Sequence, residues 1–136
     1  MTIQEVKNYL SQAYYIDKRV ITLQDELTML ESKLERCTAS YTSIRGCGNQ
    51  PTFEHALDRV LQYRDRLSRE LDTLVTTKAN IKTTINRLEN PKCKLILTQK
   101  YINFHTFEYI AITLDMEQRQ IRRLHKKALE DLCNIL

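Results

Sequence analysis

Thr106 to Leu132 reads TFEYIAITLDMEQRQIRRLHKKALEDL, and its apolar residues fall into two successive helical patterns. Phe107, Ile110, Ala111 and Leu114 form one stripe, and Ile121, Leu124, Ala128 and Leu132 form a second. Leu114-Asp115-Met116 lies between them as a place to turn, so two short helices packed across a tight corner are expected. Thr106 sits where an N-cap belongs, its hydroxyl able to accept from a free amide of the first turn, and Glu108 adds negative charge near the positive end of the dipole. Ala111 is small where the second helix must cross closely; a large side chain there would push the pair apart. Away from its stripe the second helix carries Arg119, Arg122, Arg123, Lys126 and Lys127 against Glu117 at its start. Such a helix suits the major groove of DNA, where basic and amide side chains meet base edges and phosphates. The plainer reading, a helical hairpin with a solvated basic face, fits the charge but leaves the spacing unexplained.

The segment YIAITLDMEQRQIRRLHKKALEDL, residues 109–132, resembles the fourth region of bacterial sigma factors, the helix-turn-helix that reads the promoter's upstream element. It aligns with that pattern without a gap, with Ile110-Ala111 and Leu114 in the first helix, Ile121-Arg122 and Leu124 in the second, and Ala128-Leu129 in its tail. More closely, the whole chain is similar to the small phage-borne late transcription regulators of the RinA and ArpU type, which place a long helical N-terminal part before such a domain. The resemblance implies that the start of the second helix touches bases and phosphates. The matching positions are Gln118, Arg119, Arg122 and Arg123, with Gln118 and Arg122 expected nearest the base edges. Lys126 is expected on phosphate, and Thr106 to offer its backbone amide to phosphate. Two positions depart from the family pattern. Asp115 replaces the usual turn glycine and tolerates a left-handed backbone less well, and Glu117 replaces the usual serine N-cap and is a weaker cap.

Outward from this segment, punctuation is sparse. The chain has 136 residues with two glycines and two prolines; Gly46, Gly48 and Pro51 share one segment and Pro91 stands alone. Long helices are therefore expected elsewhere. From Thr2 to Cys37 a heptad runs through Val6, Tyr9, Ala13, Ile16, Val20, Leu23, Leu27, Leu30 and Leu34, a coiled-coil seam in one helix. Thr38–Thr52 reads as a loop; its Arg45-Gly46-Cys47-Gly48 lacks the Gly-Lys-Ser/Thr and preceding strand of a phosphate loop. A second heptad follows at Phe53, Val60, Leu67, Leu74, Ile81 and Leu88, widened by Leu57, Leu71 and Ile85 on one side and by Leu61 and Val75 on the other. That helix is expected to end at Asn90, before Pro91. The two helices should fold back as an antiparallel hairpin whose widened stripe needs a cover. Either a second copy supplies it, giving a four-helix dimer with two recognition helices, or the C-terminal domain folds onto the hairpin. Lys92–Ile102 is expected as a supporting helix with Leu95, Ile96, Leu97, Tyr101 and Ile102 apolar, and Phe104 or Phe107 as the plug of a small core.

From residue 90 onward eight Lys and Arg stand against five acids; thirteen stand against twelve before it, so the basic excess sits with the C-terminal helices. Cys37, Cys47, Cys93 and Cys133 form no CxxC pair, which argues against a zinc site or disulfide framework and fits a reducing cytosol, with Cys37 and Cys133 read as packing residues. His55, His105 and His125 lie on separate elements, and His125 is placed to approach phosphate. Tyr9 and Tyr14-Tyr15 read as coiled-coil packing. With no nucleophile-base pair, phosphate cradle or carboxylate cluster, an enzyme is the least supported class, and no metal, cofactor or catalytic residue is expected. Neither a signal peptide nor an apolar run of membrane-spanning length is seen.

The expectation is an all-α chain: an oligomerising helical hairpin over residues 1–89, with its loop at 38–52, then a helix-turn-helix domain over 90–136. It would act in the cytoplasm of a bacterial host as a phage or prophage regulator, dimeric and bound to double-stranded DNA through residues 117–132. Two rivals stand beside it: a module that docks chiefly on RNA polymerase, and a phage DNA-packaging subunit resembling a small terminase, in which a helix-turn-helix and a coiled coil also occur together.

Overall fold

The computed structural model describes residues 2–43 and 50–136, with side chains described for 2–37 and 53–136. Every regular element among them is helical: α1 (Ile3–Leu10), α2 (Gln12–Ser43), α3 (Gln50–Ile85), α4 (Pro91–Leu97), which runs directly into a π-helical turn (Thr98–Ile102), α5 (Phe107–Leu114) and α6 (Gln118–Ile135). The chain is thus all-α. None of the helices described is long and apolar enough to cross a membrane.

The packing separates two compact units, Asp17–Thr73, and Met1–Ile16 together with Leu74–Leu136. In the first, α2 and α3 lie side by side in opposite directions. Arg64 donates to Glu31 Oε1 from Nη2 at 3.0 Å and from Nε at 3.3 Å, and Arg19 stands 3.5 Å from Glu70 as an ion pair without hydrogen-bond geometry. Val20, Leu27 and Val60 are buried along this seam, while Leu23, Leu30, Leu34 and Leu67 are half-buried. The expected loop at 38–52 is shortened from both ends: α2 continues to Ser43 and α3 begins at Gln50, with Pro51 in its first turn, where its missing N–H costs nothing. Arg45-Gly46-Cys47-Gly48 lies outside the described residues.

The other unit holds the C-terminal helices, and helix contacts in it cross the 89/90 line. The expected unbroken first helix is interrupted at Ser11, where the Tyr14 amide bonds the Ser11 carbonyl three residues back. The break lets α1 turn onto α6, with Val6 and Leu10 fully buried. Thr2 and Glu5 form a reciprocal capping box at its start, each side chain accepting from the other's amide, at 3.2 and 2.8 Å. Tyr9 pairs with Thr84 at 3.2 Å, and Ala13, Ile16, Leu74, Ile81, Ile85 and Leu88 are buried. Tyr14 and Tyr15 are not seam residues: they are 43 % and 67 % exposed, and Tyr14 meets Tyr15 and Phe104 edge-on.

Helix α3 stops at Ile85, five residues before the expected Asn90. The cause is Asn90 itself. It caps α4 in an extended conformation, its side chain accepting from the Lys92 amide at 3.0 Å with Pro91 in the first turn, so residues 86–89 must unwind to deliver it. Cys93 is fully buried, its thiol 3.7 Å from the Leu124 carbonyl, and burial pushes its pKa up.

Candidate nucleic-acid interface

Helices α5 and α6 meet at the expected corner. Thr106 caps α5, its hydroxyl accepting from the Tyr109 amide at 3.2 Å. At the other end Asp115 is left-handed (φ 53°, ψ 50°), the Met116 amide reaches the Ala111 carbonyl at 2.9 Å and the Asp115 amide the Ile112 carbonyl at 3.3 Å. These two bonds are the pair that closes a Schellman motif, which requires a left-handed residue after the last helical turn. Asp115 takes the place of the usual glycine, and Met116 supplies the accompanying apolar contact by packing on the core. Glu117 caps α6 in an extended conformation without any side-chain capping bond. Beneath the corner, Ile96, Ala111, Ile110 and Ile121 form a buried cluster with Phe107, Leu114, Met116 and Leu124 packed against it. Phe107, and not Phe104, is therefore the plug. Phe104 is left-handed (φ 59°), with Lys78 4.8 Å above its ring.

Replacing Asp115 tests the corner. Asp115→Val puts a β-branched side chain at positive φ and should lower stability by about 1–2 kcal/mol. Asp115→Gly relieves the conformation but loosens the unfolded chain, so the net change should stay under about 1 kcal/mol. Urea denaturation of both variants reads the difference; equal effects would mean the left-handed turn is not kept in solution.

The supporting helix departs from expectation at Thr98, where the backbone widens into a π-turn: the Asn103 amide bonds the Thr98 carbonyl, five residues back, at 3.2 Å. Within this turn Tyr101 is buried, its hydroxyl 2.7 Å from His125 Nε2 and its ring stacked on the imidazole at 5.7 Å. Phe107 closes the other approach edge-on at 5.0 Å. His125 is thus a core residue, 8 % exposed, and is not directed at phosphate. Burial, helped by the charges of Lys7 and Lys100, holds its pKa down to about 4; burial alone pushes the Tyr101 phenol up to about 12.

The structure exposes Gln118, Arg119, Arg122, Arg123 and Lys126 on α6 and Thr106 ahead of α5. None of these cations is in an ion pair with another described residue; ion pairs among the described residues involve Arg19, Arg64 and Arg69. Gln118 lines an open groove at the corner together with Glu108, Ala111, Ile112, Asp115, Met116 and Glu117. Arg122 lies over the Phe107 ring at 5.6 Å. The sequence reading missed Lys100 and the pairing of Tyr101 with His125; it had Tyr101 as an apolar residue of the supporting helix and His125 facing phosphate. His125 carried a signal, since it follows Ile121 by four residues and precedes Ala128 by three and so belongs to the buried stripe. No protein-family model, curated protein or solved structure matches this chain.

Proposed function

We propose that this chain is a DNA-binding transcription regulator of phage or prophage type, in which α5 and α6 form a helix-turn-helix and α6 enters the major groove of duplex DNA. The observation that carries the reading is the exposed basic face of α6, without carboxylate partners among the described residues, on a helix held at a fixed angle by a left-handed corner over a buried core. Gln118, Arg119 and Arg123 are assigned to base edges, with Lys126 and the Thr106 amide on phosphate; Arg122, expected nearest the base edges from the sequence, stands over the Phe107 ring and is assigned to the backbone. In this proposal the antiparallel hairpin of α2 and α3 is the oligomerisation arm. Leu57, Leu61, Leu71 and Val75 leave an apolar row on α3 between 37 % and 67 % exposed, which a second copy would cover.

Selection from a randomised duplex pool tests the proposal. The wild type should enrich one sequence, as two half-sites if it binds as a dimer. Arg119→Ala with Arg123→Ala should cost about 1–3 kcal/mol per base contact and relax the preference at the positions read. Weak binding to every duplex, without enrichment and indifferent to the double substitution, would remove DNA reading as the function.

One observation favours docking on a protein such as RNA polymerase as a second role. Ile112 is 81 % exposed in the groove that Glu108, Asp115 and Glu117 also line, a surface suited to a basic segment with an apolar anchor. Loss of function on Ile112→Ser with duplex binding intact would assign the groove to that role.

A further inference from the structure

Two cations share one aromatic ring beside the basic face. Lys100 Nζ stands 4.5 Å from the Phe107 ring centroid and the Arg122 guanidinium carbon 5.6 Å from the same centroid. Lys100 comes from the π-helical turn, Phe107 is the first residue of α5, and Arg122 lies on α6, so three elements converge. Neither cation has an ion-pair partner among the described residues. The ring attracts each cation weakly and neutralises neither. Lys100 is half-buried, its stem covered while its ammonium reaches the ring. Two cations gathered at one ring, neither neutralised by a carboxylate of the described residues, suit an anionic ligand.

Its position fixes the kind of anion. Arg122 follows the buried Ile121 by one residue and so lies on the flank of α6 nearest α5, whereas Arg119 and Arg123 lie farther round, opposite the core. On a helix seated in the major groove, the N-terminal residues and the face opposite the core reach base edges, while core-side flanks and later turns lie towards the sugar-phosphate walls. We infer that Lys100 and Arg122, sharing the Phe107 ring, form a phosphodiester-binding site that grips the DNA backbone beside the reading face, so that Arg122 is a backbone contact and not a base reader. The inference rests on the DNA-binding reading above, to which it adds Lys100 from outside α5 and α6.

The test measures binding of the full chain to a labelled mixed-sequence duplex, and to the sequence selected above, between about 50 and 200 mM salt. Lys100→Met and Arg122→Met should each weaken binding to both duplexes about five- to tenfold and reduce the slope of log affinity against log salt by about one. The double variant should lose about two, and Lys100→Arg should restore the slope, which excludes misfolding as the cause. The preferred sequence should stay the same throughout. A Lys100→Met protein with the wild-type slope overturns the inference, as does an Arg122→Met protein that relaxes the preference at one base position; both leave DNA reading by α6 standing. A wild type that binds no duplex overturns the DNA reading and this site with it.

Discussion

Acidification from pH 7 to pH 4 is expected to remove up to about 3 kcal/mol of the stability of the unit that contains α6, through the single imidazole of His125. The group is 8 % exposed, bonded to Tyr101 and faced by the charges of Lys7 and Lys100, so the folded chain keeps it neutral down to about pH 4. An unfolded chain takes up the same proton near the ordinary histidine value of about 6.5. Because the folded-state value is the lower one, the contribution is fully present above pH 6.5 and is lost as the pH falls from there towards 4. The double variant Tyr101→Phe, His125→Leu removes both members of the pair and leaves no buried partner unsatisfied, so its stability at pH 7 should change little. Urea denaturation at pH 7, 5.5 and 4.5 checks the prediction. The two proteins differ only at positions 101 and 125, so only the wild type should show the extra loss, and parallel pH profiles would rule out His125 as its source.

What was legible in the sequence followed from periodicity and capping. The stripes at Phe107–Leu114 and Ile121–Leu132 placed two helices and the turn between them, and Thr106 carried its cap in its hydroxyl. The heptads marked the apolar seams of α2 and α3, both local and long, and the single loop between two helices of similar length gave their opposite course, with which the Arg64–Glu31 and Arg19–Glu70 pairs agree. What failed depended on competition between neighbouring elements. Asn90 ends α3 early because it is needed to start α4, which no pattern inside α3 announces. The π-turn at Thr98–Ile102 shifts register by one residue and so aims Tyr101 at His125, and a helix drawn at ordinary spacing does not reveal that pairing. The break at Ser11 likewise comes from docking α1 on α6, a long-range effect. In the candidate site, the cations of α6 could be read directly from the sequence. Lys100 could not, because only the fold brings it to Phe107.

The largest single effect is expected for Ile121→Ala. Ile121 is fully buried where α4, α5 and α6 meet, in one cluster with Ile96, Ile110 and Ala111. Removing its outer carbons takes apolar surface out of the core and leaves a cavity, because the Ala111 crossing already brings the helices close and cannot tighten further. Such truncations cost about 2–5 kcal/mol, a large part of the roughly 5–15 kcal/mol that holds a small domain folded. Ile112 is a matched control one helix away, of the same residue type but 81 % exposed, and Ile112→Ala should change stability by no more than about 0.5 kcal/mol. Thermal or urea unfolding of the pair reads the contrast. Since α6 carries the basic face, Ile121→Ala should also lose duplex binding at temperatures where Ile112→Ala keeps it. Equal, small stability changes in both variants would mean that α5 and α6 do not close over a common core, and the geometry proposed for reading DNA would lose its support.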